Sequence, residues 1–227
     1  MSHFARMAYL TSFYFCVKIK TMKRLLFLLF TACTLVNAVM AQSDAPGVQH
    51  DKAFLLDYYQ QTFDVLQKSV AGLSEAQLQF KSAPDRWSIS QCLEHIILSE
   101  PALFEYAKKT LAQQPNPERK GDVKVTDDGV IKGMTDRSFK AKASEEMSPK
   151  EAGKYRNAKS ALKDLKKERK AILGYIKGIS VDDMRNRITD SPFGPVDGYH
   201  SLLYIPAHTA RHTLQIEEVK ADPNFPD

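Results

Sequence analysis

Cysteine is scarce in this 227-residue chain: three residues, at positions 16, 33 and 92, are too few for a disulfide framework. Stability must therefore come from a packed core, which a chain of this length can build. No run of alternating apolar and polar residues is long enough to make a convincing strand, which excludes an all-β architecture. The net charge of +5 is not a nucleic-acid signature, because aromatic and basic residues are not interleaved, and part of the charge falls in the first 24 residues and part on one lysine-rich helix. Hydrophobic content of 43% and charged content of 26% are those of an ordinary globular domain. Internal repeats and low-complexity tracts are also missing.

The long apolar run lies near the start, from Leu25 to Ala41. Lys23 and Arg24 precede it, and small residues at Ala38 and Ala41 offer cleavage positions, the pattern of a secretory signal. Residues 1–21 then read as an over-extended N-terminus, 22–41 as the signal peptide, and 42–227 as a single domain. The run is barely short of a membrane span, so an uncleaved anchor is the alternative. Lipidation at Cys33 is disfavoured by Phe30 three positions earlier. The expectation is an exported protein, periplasmic or in the cell envelope, with no stable membrane span after cleavage.

Four long helical patterns follow. The first covers about 51–71, with Phe54, Leu55, Tyr58, Tyr59, Thr62, Leu66 and Val70 at spacings of three and four. The second opens at Ser88, with Gln91 completing a capping box, and Pro101 should bend or interrupt it. A long connection, roughly 114–147, is rich in Pro, Gly and Asp and suits either a lid or a surface loop. The third covers about 149–179 on a core line of Tyr155, Ala158, Leu162, Leu165, Arg169, Ile172 and Ile176. The fourth begins near Asp197, ends before Asp222, and contains Pro206. The fold class expected is all-α, an antiparallel four-helix bundle with the long connection between helices 2 and 3.

Three positions on these core lines should be apolar and are not, and two of them are histidines. His208 and His212, in HTARH, share a face with Ile205, Ile216 and Val219. Buried imidazoles need partners. Hydrogen-bonded core histidines are one solution and a shared metal ion is the other. Two ligands do not hold an ion tightly, and His95 is the remaining histidine on an inward-looking helical line; His50 precedes the first helix and His200 falls off the stripe. The metalloprotease glutamate of HExxH is missing, since Thr209, Ala210 and Arg211 fill the gap. Arg169 stands where a leucine would fit, either paired with a helix carboxylate or holding an anionic substrate group. Trp87 either flanks the site or packs at the helix entrance. Glu94, Glu100 and Glu217 neighbour the ligand positions in sequence, but none is placed as an evident general base.

The segments RWSISQCLEHI and HTARHTLQIEEVKADPNFP, with the loop TDDGVIKGMTDRS and the arginine of the third helix, resemble the DinB family of DinB/YfiT-like bundles over about residues 52–226. The resemblance implies a four-helix bundle holding a divalent metal on three histidines, here His95, His208 and His212. Zinc or nickel are the first candidates, and iron or manganese the alternatives. Such a site leaves a coordination position open, suited to Lewis-acid chemistry. The resemblance further implies a metal-dependent transferase, of the thiol S-transferase kind, or a hydrolase. Its partner would be a small-molecule substrate, a thiol among the candidates, with no nucleic acid; homodimer formation stays open. The alternative is a metal-containing bundle of the cell envelope that binds a ligand or partner without turnover.

Overall fold

A computed structural model describes residues 49–140, 143–192 and 194–227. The expected signal peptide and the residues before it lie outside these. Four long helices dominate: α1 (Lys52–Ser69), α3 (Ile89–Leu111), α5 (Ala158–Gly178) and α7 (Gly198–Lys220). Shorter helices α2 (Glu75–Gln79), α4 (Asp127–Thr135) and α6 (Val181–Arg185) join them, with a hairpin of β1 (Ile188–Ser191) and β2 (Gly194–Asp197) before α7. None of the helices among the described residues is long and apolar enough to cross a membrane.

Local signals set the helix starts. Ser88 and Gln91 form the capping box expected of α3, and a second box, Ser74 with Gln77, opens α2. Asp51, Asn157 and Asp197 accept backbone N–H bonds as the N-caps of α1, α5 and α7. Helix α5 starts at Ala158, later than the 149 expected. Residues 150–155 instead lie across the start of α3, where the Gln91 amide donates to the carbonyls of Lys150 and Glu151 and Ser90 bonds both N–H and C=O of Tyr155. Gly153 makes this approach possible: its φ is +63°, and a Cβ there would stand 2.6 Å from Ser90 Oγ.

The four helices form a ring in which α7 packs on α1 and α3, and α5 packs on the same two. Their directions follow from paired contacts. Lys52 reaches the Lys177 carbonyl while Tyr59 and Thr62 meet Arg169, so α1 and α5 are antiparallel. His95 meets His208 and His212, and Glu100 meets Thr209, so α3 and α7 are antiparallel too. By contrast Tyr59 bonds Leu202 and Ser69 bonds Glu217, which makes α1 and α7 parallel. Ser90–Tyr155, Glu100–Arg169 and the Phe104–Tyr175 ring contact make α3 and α5 parallel. The antiparallel arrangement expected therefore holds for two of the neighbouring pairs and not for the other two. This explains the length of the connection after α3: parallel neighbours need a crossover that returns the chain along the whole bundle. On the way back α4 packs along α7.

Both prolines sit inside continuous helices. Pro206 cannot donate to the Leu202 carbonyl, and the Tyr59 hydroxyl takes that acceptor at 2.9 Å. Two apolar clusters fill the bundle, one around Leu55, Tyr59, Ile172 and Leu202, the other around Leu66, Ile89, Leu93, Leu165 and Ile216. Between them lies a polar layer. Arg169 (3% exposed) meets Glu100 (0%) with Nε–Oε1 2.9 Å and Nη2–Oε1 2.8 Å, and bonds Thr62, Thr209 and the Tyr59 carbonyl.

A second buried cluster ties the ends of the elements. Asp127 of α4 accepts from Arg185 Nη2 at 2.6 Å, from His200 Nε2 at 2.8 Å and from the His50 N–H at 2.7 Å. Arg185 also bonds Asp197 at 3.0 Å. Burial alone would raise the Asp127 pKa, but the bonds from His200 and Arg185 outweigh it and hold the carboxyl well below its usual range.

Candidate metal centre

Helix α7 presents His208 and His212 one turn apart, and α3, running antiparallel beside it, brings His95 level with them. The Nε2 atoms converge: His208 Nε2 is 3.2 Å from His95 Nε2 and 3.1 Å from His212 Nε2. The outward nitrogens are held differently. His95 Nδ1–H donates to the Met147 carbonyl at 2.7 Å, and His212 Nδ1–H donates to Gln215 Oε1 at 2.9 Å. His208 Nδ1 is buried without a partner. His95 and His212 are 5% and 6% exposed, whereas His208 is half-buried and forms the more accessible side.

This geometry can be tested for its fit to a cation. Acceptors at Met147 and Gln215 place the protons of His95 and His212 on Nδ1, so both Nε2 atoms present lone pairs. One proton on His208 Nε2 could satisfy only one of them, and the other donor in reach, Ser99 Oγ, lies at a long 3.4 Å from both ring nitrogens of His95. A single divalent ion satisfies all three: the two spacings to His208 are close to the tetrahedral edge of about 3.3–3.4 Å implied by zinc–nitrogen lengths of ~2.0–2.1 Å, and all three ligand atoms lie within 4.8 Å of one another. Protonation is no substitute. Burial lowers the His95 pKa, and burial with neighbouring imidazoles drives His212 well down. His208 is pushed to about 3, by burial first and then by His95 and Arg211. The donor set fits a divalent metal.

Around this cluster the other sequence candidates sort clearly. Trp87 flanks it, its ring 4.9 Å from His95 and stacked 6.0 Å from His212, while its body also packs on the second apolar cluster. Arg169 does not reach the centre as a free cation: its guanidinium is consumed by Glu100 and its neighbours, so the anion-holding role is corrected to that of a core ion pair. Glu94 accepts from the Lys154 N–H, and Glu217 bonds Ser69 and Lys220. Among the described residues, therefore, no carboxylate joins the histidines. Cys92, one turn before His95, is buried and its thiol is pushed up to about 12, so it is neither ligand nor nucleophile. Sequence reasoning missed Gln215 and Met147. Gln215 lies three residues past His212 and could have been found from helical spacing; Met147 contributes a backbone carbonyl from a distant loop, which no side-chain pattern signals.

The DinB superfamily model matches residues 58–216. The chain belongs to the DinB superfamily. Among solved structures, this DinB chain is similar to YfiT from Bacillus subtilis, described as "a probable metal-dependent hydrolase with an unusual four-helix bundle topology", at 13% identity and a TM-score of 0.49, over 74% of this chain and 85% of that one. No curated protein matches the sequence.

Proposed function

We propose that this DinB-superfamily chain is a divalent-metal enzyme, a hydrolase or a thiol-type transferase, whose His95, His208 and His212 hold the ion. The observation that carries this reading is the convergence of three Nε2 atoms with two of the protons fixed on the far side of their rings. Neutral imidazoles leave a divalent ion its full charge, and when bound it would supply Lewis acidity and acidify a water or thiol near neutral pH. The protein's own contribution is orientation and desolvation. Met147 and Gln215 fix two rings, Trp87 shields their faces from water, and half-buried His208 marks the side from which a small substrate would approach.

Zinc or nickel suit an all-nitrogen site of this size, with iron or manganese as alternatives. Export is part of the same proposal and rests on the sequence of residues 22–41. The test is elemental analysis of the purified protein, followed by a screen of ester, amide and thiol-transfer substrates with metal-loaded and chelated protein. Turnover that needs the metal and is lost in His208→Ala supports the enzyme. Stoichiometric metal without turnover across all three classes rejects it in favour of a binding bundle.

A further inference from the structure

Helix α5 carries six lysines that the fold does not use. Lys159, Lys163, Lys166, Lys167, Lys170 and Lys177 are all exposed, and none makes an ion pair or a hydrogen bond through Nζ among the described residues. At about 100° per residue, positions 159, 163, 166, 170 and 177 fall within about 60° of one another around the helix. They form a stripe roughly 27 Å long, at ~1.5 Å per residue, with Lys167 beside it. The stripe points away from the core, because Ala161, Leu165, Arg169, Ile172 and Ile176 fill the buried face. Gly174 lies outward between Lys170 and Lys177, with open space where a side chain would stand.

The acids lie elsewhere. On the α3 side of the same helix, Asp164 accepts from the Tyr155 hydroxyl at 2.9 Å and pairs with Lys154 at 3.8 Å, and Glu168 acts on buried Glu100. On α1, Asp64 accepts from Gln60 at 2.8 Å, and neither it nor Asp57 forms an ion pair with a stripe lysine. From residue 49 onward, acids outnumber bases outside α5, so one basic helix stands on an otherwise acidic body.

The shape of this charge selects its partner. Side chains leaving one helix in one direction end along a line, which a flat surface meets at every point. The stripe holds no arginine fork and no aromatic ring, the groups that grip phosphates bidentately or stack on bases. A bilayer rich in anionic lipid needs neither, because its lipids move sideways to meet long, flexible lysines.

We infer that the lysine stripe of α5 docks the protein on an anionic lipid bilayer, peripherally and without insertion. The inference is independent of the metal-centre reading. Helices α5 and α7 lie on opposite sides of the ring, each packed on α1 and α3. Docking through α5 therefore turns α7, with His208 and His212, towards the water.

Full-length protein, its helicity confirmed by circular dichroism, is sedimented with vesicles of phosphatidylglycerol and phosphatidylcholine in equal parts, and with pure phosphatidylcholine. The apolar run from Leu25 to Ala41 is common to every sample, so the readout is the difference between the two vesicles. Wild type should bind the anionic vesicles more tightly by at least about a hundredfold, and salt should abolish the difference by screening. Lys163→Gln with Lys166→Gln and Lys170→Gln should weaken that binding by roughly a hundredfold, about fivefold for each lysine near an anionic surface. Lys109→Gln with Lys120→Gln and Lys132→Gln removes the same charge from exposed lysines on other elements, and should keep the preference. Equal binding to the two vesicles, a stripe variant that keeps the preference, or a control variant that loses as much would each overturn the inference. So would tighter binding to a short DNA duplex at equal phosphate concentration, which would assign the face to nucleic acid.

Discussion

His95 on helix α3 donates its Nδ1–H to the carbonyl of Met147, 52 residues later, at 2.7 Å. The long connection between α3 and α5 thereby fixes the tautomer of a ring that faces the other way, towards His208. Nitrogen-15 spectra of metal-free protein at neutral pH should show His95 and His212 as the Nδ1–H tautomer, the reverse of the form usually favoured by free imidazole side chains. Nε2–H signals for both would remove the basis for a preorganised site.

Acid should weaken the metal-free fold before the carboxylates titrate. His208 is held neutral down to about 3, and His95 and His212 are displaced in the same direction, while the unfolded chain takes up protons near 6.5. The stability tied to these rings is complete above about 6.5 and is lost progressively as pH falls from there towards 3. Chelated protein should therefore show a lower Tm at pH 5 than at pH 8. Equal Tm values at the two pH values would mean that the rings are not buried neutral.

Arg169→Met should cost on the order of 3–5 kcal/mol, because it leaves the Glu100 carboxylate buried without its partner. Arg169→Met with Glu100→Leu should recover most of that loss, since an apolar pair of similar volume needs no counter-charge. Metal stoichiometry should be unchanged in both, as measured on folded protein. A single variant as stable as the wild type would show that the pair carries no net role in the core.

His200→Ala should destabilise the protein by roughly 3 kcal/mol through the buried Asp127–Arg185–Asp197 cluster, yet leave metal binding intact. Urea unfolding with parallel metal analysis checks both. A residue off the histidine stripe is thus structurally costly without being a ligand, and loss of the metal in this variant would count against a site made of His95, His208 and His212.

Much of this architecture is written in local patterns. Ser88 with Gln91, and Asp197 ahead of the last helix, announce helix starts that the structure places at Ile89 and Gly198. The histidines could be grouped because a one-turn spacing and an inward helical line are periodic facts. What escaped depends on tertiary partners. Residues 150–155, helix-compatible apart from Gly153, are drawn off by Ser90 and Gln91. Helix α4, with glycines at 129 and 133, is short and held by packing along α7. The hairpin 188–197 has four-residue strands with Pro195 inside one of them, too little for an alternating signal. The parallel pairing of α3 with α5 left one trace, the length of the connection between them. Whether Arg169 met a substrate or a carboxylate could not be read from its own helix, because Glu100 lies on another.

The most direct test is metal titration of chelated protein by calorimetry, for wild type and for His95→Ala, His208→Ala and His212→Ala, each checked for folding by circular dichroism. The expected result is one zinc or nickel ion per wild-type chain, a raised Tm on loading, and affinity lower by at least a hundredfold in each single variant. Folded wild-type protein that takes up no divalent ion, or a His95→Ala variant that binds as tightly as the wild type, would contradict the three-histidine centre.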